Sequence, residues 1–212
     1  MKTIALFLHQ PRCSVQSGNG IIQSLTPYYR FKIFTRHQLE DNFFDDVDCV
    51  AFPGGMGDAD TYDWMMRENA PRIRTFINRG GRYLGICMGA YWADRNYFNI
   101  LDNVRAVQYI KQPRTDTRRP HAKACAITWN NQADRMYFYD GCALVGTGFD
   151  TVARYANGDA MAIIQDRIGL IGCHPESEQF WYDSYSWMRG RYHRGQHHTL
   201  LLDFVDQMFA TK

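Results

Sequence analysis

Apolar residues along this chain fall into short continuous runs separated by glycine, proline and polar clusters, the pattern of strands buried on both faces. Thr3 to Leu8, Tyr29 to Phe34 and Asp48 to Phe52 read as strands, with a helix over Gly20 to Leu25 between the first two. A second helix is expected from about Pro71, with Ile73, Phe76 and Ile77 on one face and Gly80-Gly81 ending it. Tyr83 to Ile86 then reads as a buried strand that turns at once into another helix. Such βαβ alternation predicts an α/β fold, a doubly wound and largely parallel sheet whose reactive loops lie at the carboxyl ends of its strands. Between Ala124 and Gly172 the pattern changes to strands without helices: Ala124 to Trp129, Met136 to Tyr139, Ala143 to Val145, Thr151 to Tyr155 and Ala160 to Ile164. These are expected to extend the sheet as β-hairpins, one of them turning at Asn157-Gly158. Thr199 to Phe209 places Leu200, Leu201, Phe204, Val205 and Met208 on one helical face and should close the sheet. No repeat or linker interrupts the pattern, so a single domain over residues 1–212 is expected.

The strand-to-helix turn carries a cysteine at its apex, in Tyr83-Leu84-Gly85-Ile86-Cys87-Met88-Gly89-Ala90-Tyr91. Glycines on either side let strand and helix approach closely while the apical residue takes a strained conformation, the layout of a nucleophile elbow. A thiol placed there meets the unpaired amides at the start of a helix, which favour thiolate. A later strand, Ile168 to Cys173, ends in His174-Pro175-Glu176. Pro175 stiffens the segment, so an imidazole and a carboxylate can be aimed from it. In a Cys-His-Glu triad the imidazole takes the thiol proton and later protonates the leaving group, while the carboxylate holds its tautomer. A third element, Cys49 to Phe52 followed by Pro53-Gly54-Gly55-Met56-Gly57, ends a strand in a glycine-rich turn. The amides of Gly54 and Gly55, with that of Met88, are candidate donors to the oxyanion of a tetrahedral intermediate. The turn has neither the GxxxxGK[ST] nor the GxGxxG spacing of a phosphate loop.

With PGG after a strand, GxCxG at the elbow and HPE near the end, the chain resembles the class I glutamine amidotransferase-like superfamily. More narrowly, FPGGMGDAD paired with YLGICMGAYWA, then a long middle and GCHPE, resembles the amidotransferase-like N-terminal domain of eukaryotic biotin-protein ligase and its free-standing relatives. The resemblance extends over roughly residues 3–208 and implies a flavodoxin-like sheet of the amidotransferase type. It also implies Cys87 as nucleophile, His174 as base, Glu176 as its orienter and the Gly54-Gly55 turn as oxyanion donor. Members that use glutamine carry Gln, Glu or His four residues after the nucleophile, where this chain has Tyr91. A phenol does not reproduce those hydrogen bonds, which argues against free glutamine and for a bulkier substrate in contact with Tyr91. The expected function is therefore a cysteine-dependent amide hydrolase or amidotransferase-like enzyme acting through a thioester on a small-molecule or peptide-like amide. A non-catalytic binding or regulatory module that retains the fold is the alternative.

Composition narrows the setting. With 45% hydrophobic and 15% aromatic residues the chain is not disordered, and no apolar run is long enough for a membrane span or secretory signal. A cytoplasmic location is expected. Six cysteines without CxxC spacing read as reduced buried thiols, so neither a metal nor another cofactor is expected. A net charge of +2 argues against nucleic acid as partner, while a partner protein stays open. Within residues 105–123, Arg105, Lys111, Arg114, Arg118, Arg119 and Lys123 face only Asp116 in charge. Arg118 and Arg119 are the candidate anion-binding residues of a loop over the cleft.

Overall fold

A computed structural model describes residues 1–40 and 42–211. In chain order the elements are β1 (Thr3–Phe7), α1 (Val15–Leu25), β2 (Arg30–Phe34), β3 (Cys49–Phe52), α2 (Ala59–Met65), α3 (Ala70–Asn78), β4 (Arg82–Ile86), α4 (Met88–Trp92) and β5 (Val104–Gln108). Then follow β6 (Lys123–Trp129), β7 (Gln132–Phe138), β8 (Cys142–Gly146), β9 (Asp150–Tyr155), β10 (Ala160–Gln165), β11 (Ile168–Ile171), α5 (Gln179–Asp183) and α6 (Gln196–Ala210). One sheet runs β2-β1-β3-β4-β11-β10-β9-β6-β7, with β8 against β10 and β5 against β8. From β2 through β11 neighbours pair parallel, and beyond β11 every pairing is antiparallel. The α/β half and the hairpin half expected from the sequence are thus joined through β11.

The continuous apolar runs have the predicted cause. In β1, Ile4 and Leu6 enter one core cluster with α1 and α6, while Ala5 and Phe7 enter another beneath α2, α3 and α4. A strand covered on both faces has no polar face to display. The second cluster is rich in aromatics: Phe7, Phe34, Phe52, Tyr83, Trp92 and Phe98 pack below the elbow at centroid distances of 4.9 to 6.2 Å, tilted or edge-on except for Phe52 and Tyr83, which stack. Tilted geometry suits ring quadrupoles and gives the elbow a stiff floor. At the far end of the sheet, the Arg82 guanidinium donates to the carbonyls of Met208, Phe209 and Thr211, satisfying the last turn of α6.

Three elements were not expected from the sequence: β5, α2 and the short α5. Val104–Gln108, part of the basic stretch, is strand β5, because Arg105 is paired with buried Asp94 at 2.7 Å and its charge no longer marks it as loop. Ala59–Met65 forms α2, capped by the Asp58 carboxylate accepting from the Thr61 amide. Residues 181–198, in which arginines and histidines are interleaved with aromatics, turn in part inward: Trp181, Tyr182, Met188, His193 and His197 are buried. Burial pushes the His193 imidazole down to about 3, and its ring stacks on His197 at 4.2 Å. Among the described residues no helix is long and apolar enough to cross a membrane.

Candidate active site

At the end of β4 the chain does what the glycine spacing predicted. Cys87 has φ 51° and ψ −100°, a region that costs a side chain about 1–3 kcal/mol. Its amide donates to the Ile171 carbonyl at 2.8 Å and its carbonyl accepts from the Tyr91 amide at 3.0 Å, so the strained conformation is held from both sides. A Cβ on Gly89 would lie 2.0 Å from the Phe52 carbonyl oxygen, and one on Gly85 2.5 Å from the Gly89 carbonyl oxygen. Only hydrogen fits at either position. Helix α4 is five residues long, so what it offers the sulfur is its first free amides rather than a long aligned dipole.

Parallel pairing of β11 with β4, Ile171 opposite Ile86, brings the HPE segment out at the same end of the sheet. Cys87 and His174 line one cavity of about 440 Å³. The imidazole is buried, and its Nδ1 donates to Glu176 Oε1 at 2.8 Å, which leaves Nε2 as the nitrogen available for chemistry. Burial alone would lower the His174 pKa; the Glu176 carboxylate, with Cys87 adding in the same direction, overrides it and raises the group to about 10. The Cys87 thiol also donates to the Tyr139 carbonyl at a long 3.7 Å.

Behind the histidine the structure adds a residue that the sequence reading missed. Ser17, fully buried on α1, donates from Oγ to Glu176 Oε1 at 2.6 Å and accepts from the Gly54 amide at 2.9 Å. One oxygen of the carboxylate therefore takes two donors, and Oε2 is buried with no partner among the described residues. The same contact corrects the oxyanion assignment. Gly54's amide is spent on Ser17 and is not available to substrate, whereas the amides of Gly55 and Met88 find no acceptor among the described residues. The candidate oxyanion donors reduce to that pair. Gly54 serves differently: a Cβ there would lie 2.8 Å from His174 Cε1, so the imidazole rests against its bare backbone.

A second cavity, about 520 Å³, also opens at Cys87 and is lined by residues that include Met88, Tyr91, Gln108, Asp58, Asp94 and Asp140. Tyr91 lines this cavity together with Cys87, its hydroxyl donating to the Asp140 carbonyl at 3.1 Å. Arg118 and Arg119 do not: both are exposed and line neither cavity. The loop carrying them is tied down elsewhere, with Lys123 bridging Asp116 and Thr117, and its like charges spread into water instead of converging. From the basic stretch only Ala106 and Gln108 reach the site, both on β5. Among the described residues no cluster of His, Cys, Asp and Glu is arranged to hold a metal ion.

Comparison with known proteins bears on the fold. Residues 11–109, which contain the glycine turn and the elbow but stop short of His174, match the family model described as biotin-protein ligase, N terminal. No curated protein matches the chain by sequence. Its fold is shared with a glutamine amidotransferase from Thermotoga maritima, at TM-score 0.68 and 11% identity over 99% of each chain. PurLQS from the same organism aligns at TM-score 0.63 and 15% identity, over 95% of this chain and 98% of that one. A Thermoplasma acidophilum protein assigned as a GMP synthase subunit does so at TM-score 0.63 and 15% identity, over 99% and 95%. The fold is that of the class I glutamine amidotransferases, as the motifs implied.

Proposed function

We propose that this amidotransferase-like chain is a cysteine-dependent amide hydrolase or acyl-transfer enzyme in which Cys87, His174 and Glu176 act as a triad. The observation that carries the reading is the meeting of a strained elbow cysteine and a carboxylate-held imidazole at one cavity. His174 Nε2 takes the Cys87 proton as Sγ attacks the amide carbonyl carbon, a C–S bond forms while the C=O π pair moves onto oxygen, and the oxyanion is received by the Gly55 and Met88 amides. When the C–N bond breaks, nitrogen leaves with the electron pair and takes the His174 proton. Water, or an acceptor amine, then attacks the thioester and returns the sulfur to its starting state. His174 can serve both halves of the cycle because its charge depends partly on the sulfur. Once the sulfur is acylated it carries no negative charge, the imidazole becomes less basic, and it can take a proton from water. Tyr91 at the second cavity supports a substrate other than free glutamine, and the shared fold with a synthase subunit supports a partner protein as acceptor or regulator.

Selective alkylation tests this. Burial raises Cys13 and Cys125 to about 12 and pushes Cys49, Cys142 and Cys173 far above the ordinary thiol range. Limited iodoacetamide treatment near neutral pH, read by peptide mass spectrometry, should modify Cys87 first. Modification of any other thiol before Cys87 would refute the nucleophile. The pH dependence has a definite sign. Because His174 is raised to about 10 and must be protonated to release the leaving nitrogen, kcat/KM for amide cleavage should hold up to that range and fall above it. An alkaline limb near 6.5, the ordinary imidazole value, would show that Glu176 and Cys87 do not hold the charge.

A further inference from the structure

The two cavities that meet at Cys87 differ in kind, and the catalytic groups divide between them. Met88, an oxyanion donor, lines only the second cavity, His174 lines only the first, and Cys87, Gly55 and Tyr139 line both. In a tetrahedral intermediate on Cys87 the oxygen points to the Met88 and Gly55 amides and the nitrogen to His174. Whatever is attached to that nitrogen therefore enters the first cavity, and the acyl part enters the second.

The first cavity is built for something other than ammonia. Its lining holds Tyr137, Tyr139, Phe180, Trp181 and Tyr185, and apart from His174 no lining side chain is ionisable below the tyrosine range except Cys87 itself. Its volume is about 440 Å³, whereas a molecule the size of water or ammonia occupies about 30 Å³. Trp181 and Tyr137 stand edge-on to the imidazole, with centroids 5.4 and 5.9 Å away, so the aromatic wall begins at the base itself. Tyr139 and Phe180 remain 47% and 44% exposed beside Cys87, Phe180 meeting Trp181 edge-on at 6.3 Å, so large apolar faces are left open to the cavity. By contrast, the second cavity is lined by Asp58, Asp94 and Asp140, of which Asp94 is paired with Arg105 and Asp58 accepts from the Thr61 amide.

We propose that the aromatic cavity is a leaving-group subsite, and that the bond cleaved is a secondary amide whose nitrogen carries a neutral aromatic or other planar apolar substituent. The inference rests on the triad reading above and adds the class of amine released. That amine departs with the C–N electron pair and the His174 proton, leaving the acyl group on Cys87 for water to release. Ring stacking and edge contacts with Phe180, Trp181 and Tyr185 hold the substituent, so an unsubstituted carboxamide such as glutamine forfeits them.

Two alkylating probes test the subsite without knowledge of the acyl group. Cys87 is modified with iodoacetamide and with 2-iodo-N-phenylacetamide, and each rate is divided by that of the same reagent with glutathione. The N-phenyl reagent should be favoured at Cys87 by about 3- to 10-fold, the range of one or two aromatic contacts. That preference should collapse towards one in Phe180→Ala, which truncates an exposed ring, and in Tyr185→Ala, whose ring packs against the Trp181 and Tyr182 cluster, while Tyr185→Phe, which keeps that packing and the ring, should retain it. Tyr28→Ala, which removes an exposed ring lining neither cavity, should retain it. Equal normalised rates at a readily modified Cys87 would overturn the subsite and leave the triad standing. A preference that survives both truncations would place the ring in the other cavity and also overturn it. A Cys87 inert to both reagents would remove the triad reading, and this inference with it.

Discussion

Cys87→Ala should abolish amide cleavage, lowering kcat/KM by about 10⁴- to 10⁶-fold, the loss seen when a covalent nucleophile is removed while oxyanion donors and binding remain. Stability should hardly change. One small buried sulfur is lost, costing about 1 kcal/mol, and in a chain of 212 residues each such unit moves Tm by about 2–4 °C. A companion variant separates nucleophilicity from strain. Alanine keeps a Cβ at φ 51°, so it inherits the strain of the elbow, whereas Cys87→Gly releases it. Glycine also enlarges the unfolded ensemble, at a cost of about 0.4–1 kcal/mol, against about 1–3 kcal/mol of strain relieved. Cys87→Gly should therefore be equally inactive and melt above Cys87→Ala. Thermal unfolding of the two proteins decides it, and a lower Tm for the glycine variant would mean that the elbow stores no strain. Full activity in either variant would place the nucleophile elsewhere.

The parts of the site that were legible in the sequence are those that impose a local rule. Gly85 and Gly89 announce close backbone approach, and the approach is to the Gly89 and Phe52 carbonyls. Pro175 announces a stiff segment, and His174 and Glu176 emerge from it hydrogen-bonded. Strand runs buried on both faces announce a covered parallel sheet, because alternate side chains must enter two cores. What was illegible depends on residues brought together from far apart. Ser17 lies 159 positions from the carboxylate it holds, inside a helix whose polar letters look like a solvated face. One signal was available: Ser17, Gly18, Gly20 and Ser24 are small residues gathered on one side of α1, as where another segment must approach to backbone distance. A Cβ on Gly20 would sit 2.2 Å from the Glu176 carbonyl oxygen, which is that approach.

Charge misled for a physical reason as well. A run of arginines states that a segment is solvated, and Arg118 and Arg119 are indeed in water, but nothing in the run says which loops share that water. Arg105, by contrast, is in a strand because Asp94, eleven positions earlier, neutralises it. The Gly54 error has the same form. A glycine turn guarantees free backbone amides only until a side chain from elsewhere claims one, and Ser17 claims the first of the pair.

Glu176→Gln should be the most damaging change that leaves the nucleophile in place, reducing kcat/KM by about 10⁴-fold, as when the carboxylate of a triad is replaced by its amide. Glutamine can keep its oxygen towards Ser17 and His174 only by pointing its NH₂ where Oε2 lies, a buried position with no acceptor among the described residues. Burying that donor unpaired costs about 1–3 kcal/mol. Turned the other way, the amide meets the hydrogens of Ser17 Oγ and His174 Nδ1 and forces the wrong tautomer. In both arrangements the negative charge that most raises His174 is gone, so the imidazolium loses its proton at lower pH and the alkaline limb moves down from about 10. Ser17→Ala gives the contrasting result. The charge stays, one hydrogen bond to a charged group is lost, and the Gly54 amide is left unpaired, which predicts a fall of about 10- to 100-fold with little movement of the limb. Ser17→Thr, which keeps the hydroxyl, should recover part of that loss. Measuring kcat/KM against pH for the three variants separates the roles: an unmoved limb in Glu176→Gln would mean that the carboxylate positions the histidine without holding its charge.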